Sequence, residues 1–379
     1  MRLRSLPAAA LAVVLLLACG GGGPTGDGGP ADVPCRARLA RLSAGEIVHA
    51  GLVLGNGDRR GIDWSADGGT LLVRAIPGVD PCAAPRPPIA SPVVLALGAD
   101  GRGARPVMPL AGETSGGVLT EGGRAVLYLT PTARVGGLDV YGLVRVRFAG
   151  GADTLLGGLP RPSFTAVDSG GRRVAYVAPG RLPPAGPYAP DTLVTIEVAT
   201  GARRAILLDG VGHTVLGMDP EGARVWAGER LVRLADGAVI GRLPHAHWVG
   251  DPPGRVIATR WQPDGPSLLV QRDGALDVVR VSDGRRTPVA RPRGPVVPGA
   301  ADWLPDGSVL ALERLVDEDL QGDAPMLAVA VRRFGPDDLT GREVARGWFA
   351  RVPGEVRAAP DGRRMAITSP DVVAVVPLR

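Results

Sequence analysis

Lysine is missing from this 379-residue chain, whose 43 positive residues are all arginine. That absence excludes a lysine Schiff base, the phosphate-gripping lysine of a P-loop and a serine–lysine nucleophile pair. Histidine occurs at only four positions (His49, His213, His245 and His247), and no G-x-S-x-G elbow is present, so a serine hydrolase with the usual nucleophile turn is excluded as well. The net charge of +5 is spread: the arginines alternate with 38 carboxylates and gather in no stripe interleaved with aromatics. Nucleic acid is therefore not the expected partner. No long stretch carries apolar residues at helical spacing, which excludes a helical body.

Glycine (56) and proline (37) are plentiful instead, as many short strands joined by many turns require. Seven times an apolar strand, a turn built on an acidic or small residue plus glycine, and a second apolar strand follow one another. The turns are Trp64 to Gly68, Thr120 to Gly123, Asp168 to Gly171, Asp219 to Gly222, Trp261 to Gly265, Trp303 to Gly307 and Ala359 to Gly362. Their glycines at 68, 122, 170, 222, 265, 307 and 362 lie between 42 and 55 residues apart. Four-stranded propeller blades have that period, about 40 to 50 residues per unit. The expected fold is all-β: one closed β-propeller of seven four-stranded blades. The weaker turns of blades two to four leave six or eight blades open.

The seventh unit supplies three strands before Arg379, and the stretch Glu46 to Leu54 precedes the first unit. Pairing that N-terminal strand with the last blade would close the ring and remove an open edge. Asp67, Asp264, Asp306 and Asp361 recur at one place in the repeat and read as turn residues, expected in two-residue type I′ hairpins rather than as catalytic pairs. Trp64, Trp261 and Trp303 recur likewise and read as blade-packing residues. The units W-S-A-D-G-G-T-L-L-V, W-L-P-D-G-S-V-L-A-L and A-P-D-G-R-R-M-A-I resemble the TolB-type propeller repeat over about residues 61–379. That resemblance implies the fold and leaves function open, because the repeat serves many unrelated proteins. No α/β domain fits ahead of the first blade, so TolB's own role is not implied.

Residues 1–18 read as a signal peptide, with Arg2 and Arg4 ahead of an apolar run from Leu6 to Ala18. The run ends in Leu16-Leu17-Ala18-Cys19-Gly20, which resembles the lipobox of bacterial lipoproteins. The resemblance implies a lipidated Cys19 that anchors the mature chain to a membrane. Residues 19–34 form a Gly-rich tether and residues 35–379 the propeller. An exported protein at the periplasmic face or the cell surface is expected. Gly20, rather than Asp after the cysteine, points to the outer membrane. Cys35 and Cys82 are then an even pair in an oxidising compartment, suggesting a disulfide that would contribute about 4 kcal/mol by loop closure.

Strand alternation sends a–b and c–d turns to one face of the ring and b–c and d–a connections to the other. We call these the turn face and the insert face. Short acidic turns beside Arg172-Arg173, Arg203-Arg204, Arg285-Arg286 and Arg363-Arg364 make the turn face a charge-compensated surface or, alternatively, an anion-binding collar. Long connections at Pro77 to Pro92, Pro131 to Gly142, Pro179 to Pro190 and Arg314 to Pro325 fall on the insert face, where binding loops are expected. Two small constellations share it. His245 and His247 would offer two imidazoles to zinc or be plain loop residues. Asp317, Asp319 and Asp323 with Gly322 imitate the front of a calcium loop, although Ala328 stands where the bidentate glutamate belongs. No catalytic residue and no cofactor is expected beyond that calcium option. Two functions follow: a monomeric, lipid-anchored module that binds an envelope protein or polymer through the insert face, or a hydrolase or lyase that uses funnel carboxylates or a metal.

Overall fold

The computed structural model describes the chain from residue 37 to residue 378, leaving out 54–61, 77–92, 110–117, 179–189, 209–214, 243–255 and shorter stretches at other turns. Seven antiparallel sheets follow one another around the ring, a seven-bladed β-propeller. Blade 1 has its strands at Ile62–Trp64, Thr70–Ile76, Val93–Gly98 and Arg105–Pro109; blade 2 at Val118–Thr120, Ala125–Val135, Leu138–Arg147 and Ala152–Leu159. Blade 3 comprises Ser163–Val167, Arg173–Ala178, Thr192–Glu197 and Arg203–Leu207, and blade 4 Val215–Met218, Arg224–Ala227, Arg230–Arg233 and Val239–Arg242. Blade 5 runs through Val256–Trp261, Ser267–Arg272, Ala275–Arg280 and Arg286–Ala290. Val296–Trp303, Val309–Arg314, Leu327–Phe334 and Arg342–Phe349 build blade 6, and Glu355–Ala358, Arg364–Ser369 and Val372–Pro377 build blade 7.

Burial explains the strand composition. Strand b of blade 1 is buried from Leu71 to Ile76, on both faces of its sheet, because a neighbouring blade covers each side. It therefore reads as an apolar run broken only by the buried Arg74 rather than as an alternation. Strand d of blade 3 lies on the rim, and its R-R-A-I-L is mostly exposed. The cores lie between blades: Leu310, Leu312, Val329 and Val331 of blade 6 meet Val356, Met365 and Ile367 of blade 7. Ala359, Ala366 and Val373 of blade 7 meet Leu71, Val73 and Leu97 of blade 1. Trp64 is buried in the seam of blades 7 and 1 and Trp303 in that of blades 5 and 6, as expected of packing residues, while the Trp261 side chain lies outside the described residues. Trp64 also donates its indole N–H to the Arg357 carbonyl at 3.2 Å, tying blade 1 to blade 7.

Closure takes the expected form and adds to it. Glu46–Ala50 pairs antiparallel with Val372–Pro377 as the fourth strand of blade 7. The chain then passes to blade 1, where Leu52–Val53 pairs with Ala75 and Ile76, so one N-terminal stretch serves two blades. Ahead of it, Ala40–Leu42 pairs with Gly347, Trp348 and Phe349 as a fifth strand of blade 6. Three residues are too few to show a periodicity, which is why the sequence carries no sign of that strand.

Two expectations need correcting. The stretch from Pro131 to Gly142 is no loop: Leu138↔Val135 and Asp139↔Arg134 continue the ladder of strands b and c outward as a hairpin. The acid–glycine turns are not type I′ either. The Gly68 N–H donates to Ser65 O at 2.8 Å, so glycine is the fourth residue of the turn, with φ +68°. Gly307, Gly362, Gly171 and Gly222 repeat that bond and that positive φ. This is a β-turn followed by a left-handed glycine, in which only the glycine needs positive φ.

Candidate functional site

The turn face is built from its acids. Asp67 accepts from Ser65 Oγ at 2.5 Å and from Gly69 N at 2.9 Å, while the Ser65 hydroxyl accepts the Thr70 N–H at 2.8 Å. The serine hydroxyl and the glycine N–H hold the Asp67 carboxyl below the usual carboxylate range. Asp306 does the same with Ser308. In blades 3 and 4 one residue performs both tasks. Asp168 and Asp219 stand at the first turn position, and each Oδ1 accepts two backbone N–H groups: Arg172 and Arg173 for Asp168, Ala223 and Arg224 for Asp219. Their acids have moved two places along the turn, so these units look degraded in sequence while keeping the geometry.

The arginines beside the turns join blades. Arg173 donates to the Gly222 carbonyl and Arg204 to the carbonyls of Leu234 and Ala235, all in blade 4. Arg203 reaches back to Gly157 O of blade 2 at 2.8 Å. Arg364 of blade 7 donates to Gly68 O at 3.2 Å and lies 5.7 Å from the centre of the Trp64 ring in blade 1. A planar fork with several donors suits such bridging better than an ammonium does. Four of the eight arginines beside the turns, Arg173, Arg203, Arg204 and Arg364, are thus engaged with neighbouring blades, and Arg172 pairs with Asp168 of its own blade.

On the insert face the best-described connection is that of blade 6. A short 3-10 turn, Val316–Glu318, leads to Asp319, whose two carboxylate oxygens take the Arg314 guanidinium, with the Nη1–Oδ1 contact at 2.5 Å. Asp319 Oδ1 also accepts the Ala328 N–H at 2.8 Å. Chiefly through the Arg314 hydrogen bonds, the Asp319 carboxyl lies below its ordinary pKa. Leu320 and Met326 bridge across the loop, Glu318 pairs with Arg346, and the Trp348 indole donates to Glu318 O at 3.2 Å. The loop is thus a braced platform. Of the calcium candidates, Asp319 is committed to Arg314, Asp317 is exposed, and Asp323 lies outside the described residues. His245 and His247 sit in the d–a connection of blade 4, also outside the described residues, as do Cys19, Cys35 and Cys82 with the signal peptide and tether. Among the described residues no three His, Cys, Asp or Glu side chains converge in a way that could hold a metal ion.

Sequence patterning does not single out the inner strand of blade 7. Glu355 and Arg357, two apart and hence on one side of the strand, form a buried ion pair. Arg357 Nε donates to Ile62 O of blade 1 at 3.3 Å, and Asp302 of blade 6 accepts the Ala358 N–H at 3.0 Å. Three blades are joined there by polar groups that a strand pattern alone, E-V-R-A, does not distinguish from surface charge.

No protein-family model and no curated sequence matches the chain. Solved structures do. An oligogalacturonate lyase in complex with manganese superposes with a TM-score of 0.59 at 14% identity, over 90% of this chain and 97% of that one. A chain of the mitotic checkpoint complex superposes with a TM-score of 0.56 at 11% identity, over 89% and 95%. TolB from Acinetobacter baumannii gives 0.43 at 10% identity, over 75% and 67%. At such identities the first two likenesses are likenesses of fold, and they agree with the sheet order in making this chain a seven-bladed β-propeller.

Proposed function

We propose that this protein is a lipid-anchored module of the cell envelope, held by Cys19, that binds another envelope protein or polymer through the insert face. One observation carries the reading: turn-face arginines such as Arg173, Arg204 and Arg364 are engaged with neighbouring blades, whereas the connections of blades 2 and 6 project from the opposite side on braced supports. Loops on a rigid scaffold are the usual seat of recognition. The similar propeller of the mitotic checkpoint complex is itself one member of an assembly, which is consistent with a binding role. Photo-cross-linking in the native envelope tests it, with probes at Val135 and Gln321 on the insert face and at Arg363 on the turn face. Covalent adducts from the first two and none from the third are expected; adducts from Arg363 alone would overturn the assignment. Cys19→Ser should move the protein from the membrane fraction to the soluble one.

A metal-assisted lyase is the second reading, kept open by the half-buried carboxylate Asp302 and the buried Glu355 at the inner strands and by the manganese that the lyase of similar fold carries. Both carboxylates are engaged by neighbours, so a metal would have to compete with Arg357 and with the Ala358 N–H. Elemental analysis of the purified protein discriminates: stoichiometric metal lost on Asp302→Ala or Glu355→Ala would favour the second reading.

A further inference from the structure

We propose that the rim of blade 3 is a docking edge, on which an extended segment of a partner protein, acidic at one end and apolar at the other, adds as a fifth strand. Blades of this chain already take such additions: Ala40–Leu42 lies as a fifth strand on blade 6, and Glu46–Ala50 is the outer strand of blade 7. An uncovered sheet edge presents a row of N–H and C=O groups to any other strand, and proteins usually blunt it with proline, bulges or a cover. Among the described residues six rims are blunted in this way and one is open. Arg105–Pro109 of blade 1 and Arg286–Ala290 of blade 5 contain Pro106 and Pro288, which have no N–H, and both ladders slip register. The outer ladders of blades 2 and 4 slip as well, between Tyr141 and Val144 and between Leu231 and Val232. That of blade 7 slips between Ile47 and His49, and the strand that covers blade 6 has only three residues. Arg203–Leu207 of blade 3 has neither proline nor slip: Thr192↔Leu207 through Ile196↔Arg203 is an unbroken antiparallel ladder.

The bonds already made show which groups face outward. Ala202 O accepts the Glu197 N–H at 2.9 Å, and the Leu208 N–H donates to Asp191 O at 2.8 Å. Alternate residues of an antiparallel strand bond to the same neighbour, so the N–H and C=O of Arg203, Ala205 and Leu207 point away from the blade. The side chains then define the occupant. Leu207, at the insert end, is 69% exposed, more than any other large hydrophobic residue described. Arg203 and Arg204, at the turn end, are exposed, and their acceptors are the carbonyls of Gly157, Leu234 and Ala235, which leave both charges uncompensated. The strand R-R-A-I-L has no carboxylate, so a second copy laid on the same edge would bring the arginines of both chains into one short ladder. Like charges across strands repel and opposite ones attract. An antiparallel segment with an apolar residue opposite Leu207 and acidic residues opposite Arg204 and Arg203 satisfies both ends. This rim is separate from the insert face, and neither reading depends on the other.

The test is the binding of a fluorescein-labelled peptide, Thr-Val-Thr-Val-Glu-Glu-Thr, to the full-length protein, followed by anisotropy and by amide exchange. Peptide should slow exchange at Arg203, Ala205 and Leu207. Lysine in place of both glutamates should weaken binding about tenfold. N-methylation of the peptide at the residues opposite Arg203, Ala205 and Leu207, which keeps its acids and removes the N–H groups aimed at the edge, should weaken it at least about tenfold. Ala205→Pro removes an outward N–H and none of the blade's own bonds, so it should keep the urea midpoint and lower peptide affinity about tenfold. Should that variant fail to fold, the N-methylated peptide on the unaltered protein decides. Equal binding of the N-methylated peptide, or of the unmodified peptide to folded Ala205→Pro, would show charge attraction without strand addition and overturn the proposal. No binding at about 1 mM peptide, slowed exchange confined to other blades, or self-association that protects Ala205 without peptide would overturn it too.

Discussion

Replacing Asp219 by alanine tests how a turn that has lost its expected sequence keeps its shape. Asp219 is buried, with its side chain 1% exposed, and Oδ1 takes the N–H groups of Ala223 and Arg224 at 2.7 and 2.9 Å. Oδ2 meets Arg224 Nε at 2.7 Å. Hydrogen bonds to a charged acceptor are worth about 1.5–3 kcal/mol each, and losing the acceptor leaves both donors to seek water beneath the turn. Partial rehydration returns some of that, so a loss of about 3 kcal/mol is expected for Asp219→Ala. Asp67→Ala, at an exposed turn where Ser65 still serves Thr70, should cost no more than about 1 kcal/mol. Asp219→Asn keeps an oxygen for both N–H groups and loses only the ion pair, placing it between the two. Urea unfolding followed by tryptophan fluorescence measures all three. An alanine variant of Asp219 no weaker than that of Asp67, or an asparagine variant as weak as the alanine one, would refute the equivalence of one buried aspartate with a serine–aspartate pair.

Gly45→Ala should loosen ring closure, because Gly45 has φ +96° and an added Cβ would fall 2.4 Å from the Val375 carbonyl oxygen. A cost of about 2 kcal/mol is expected from positive φ and displacement together, with faster amide exchange in residues 46–50; unchanged exchange there would contradict the role of the closing strand. Acid should weaken the fold in a defined window. Asp319 is depressed chiefly by Arg314 and Asp67 chiefly by the Ser65 hydroxyl, whereas at Asp306 burial opposes and the Ser308 bonds prevail. Carboxyls depressed in the folded state stabilise it above their unfolded pKa near 4 and cease to do so as pH falls through the folded values. The urea midpoint should therefore fall steadily below about pH 4, and a midpoint that held constant or rose down to pH 3 would show that these contacts contribute nothing.

Blade number, strand order and the closing strand were legible in the chain, since glycine-bearing turns at a near-constant interval and apolar strands need no knowledge of neighbours. Turn type was misjudged because an Asp-Gly pair is compatible with two hydrogen-bonding frames, and only the Gly68-to-Ser65 bond tells them apart. Asp168 and Asp219 looked like decay of the motif because their carboxylates replace a residue two places away, a substitution visible only when the N–H donors are located. At Asp319 the fold supplies Arg314 to both carboxylate oxygens, a partner that spacing along the chain does not reveal. Charge on one arginine reads identically whether it faces water or fastens the next blade.

Local chemistry was thus sufficient for the period, the class and the ring, because hydrogen-bonding turns and burial on both sides of a strand impose short-range patterns on composition. Which arginines tie blades together, which acids are already engaged, and against which blades the N-terminal segment lies depend on contacts between residues far apart in the chain, as Arg346 with Ser43 illustrates. Such contacts leave no trace in spacing. They exist only after the sheets have wrapped around a common axis.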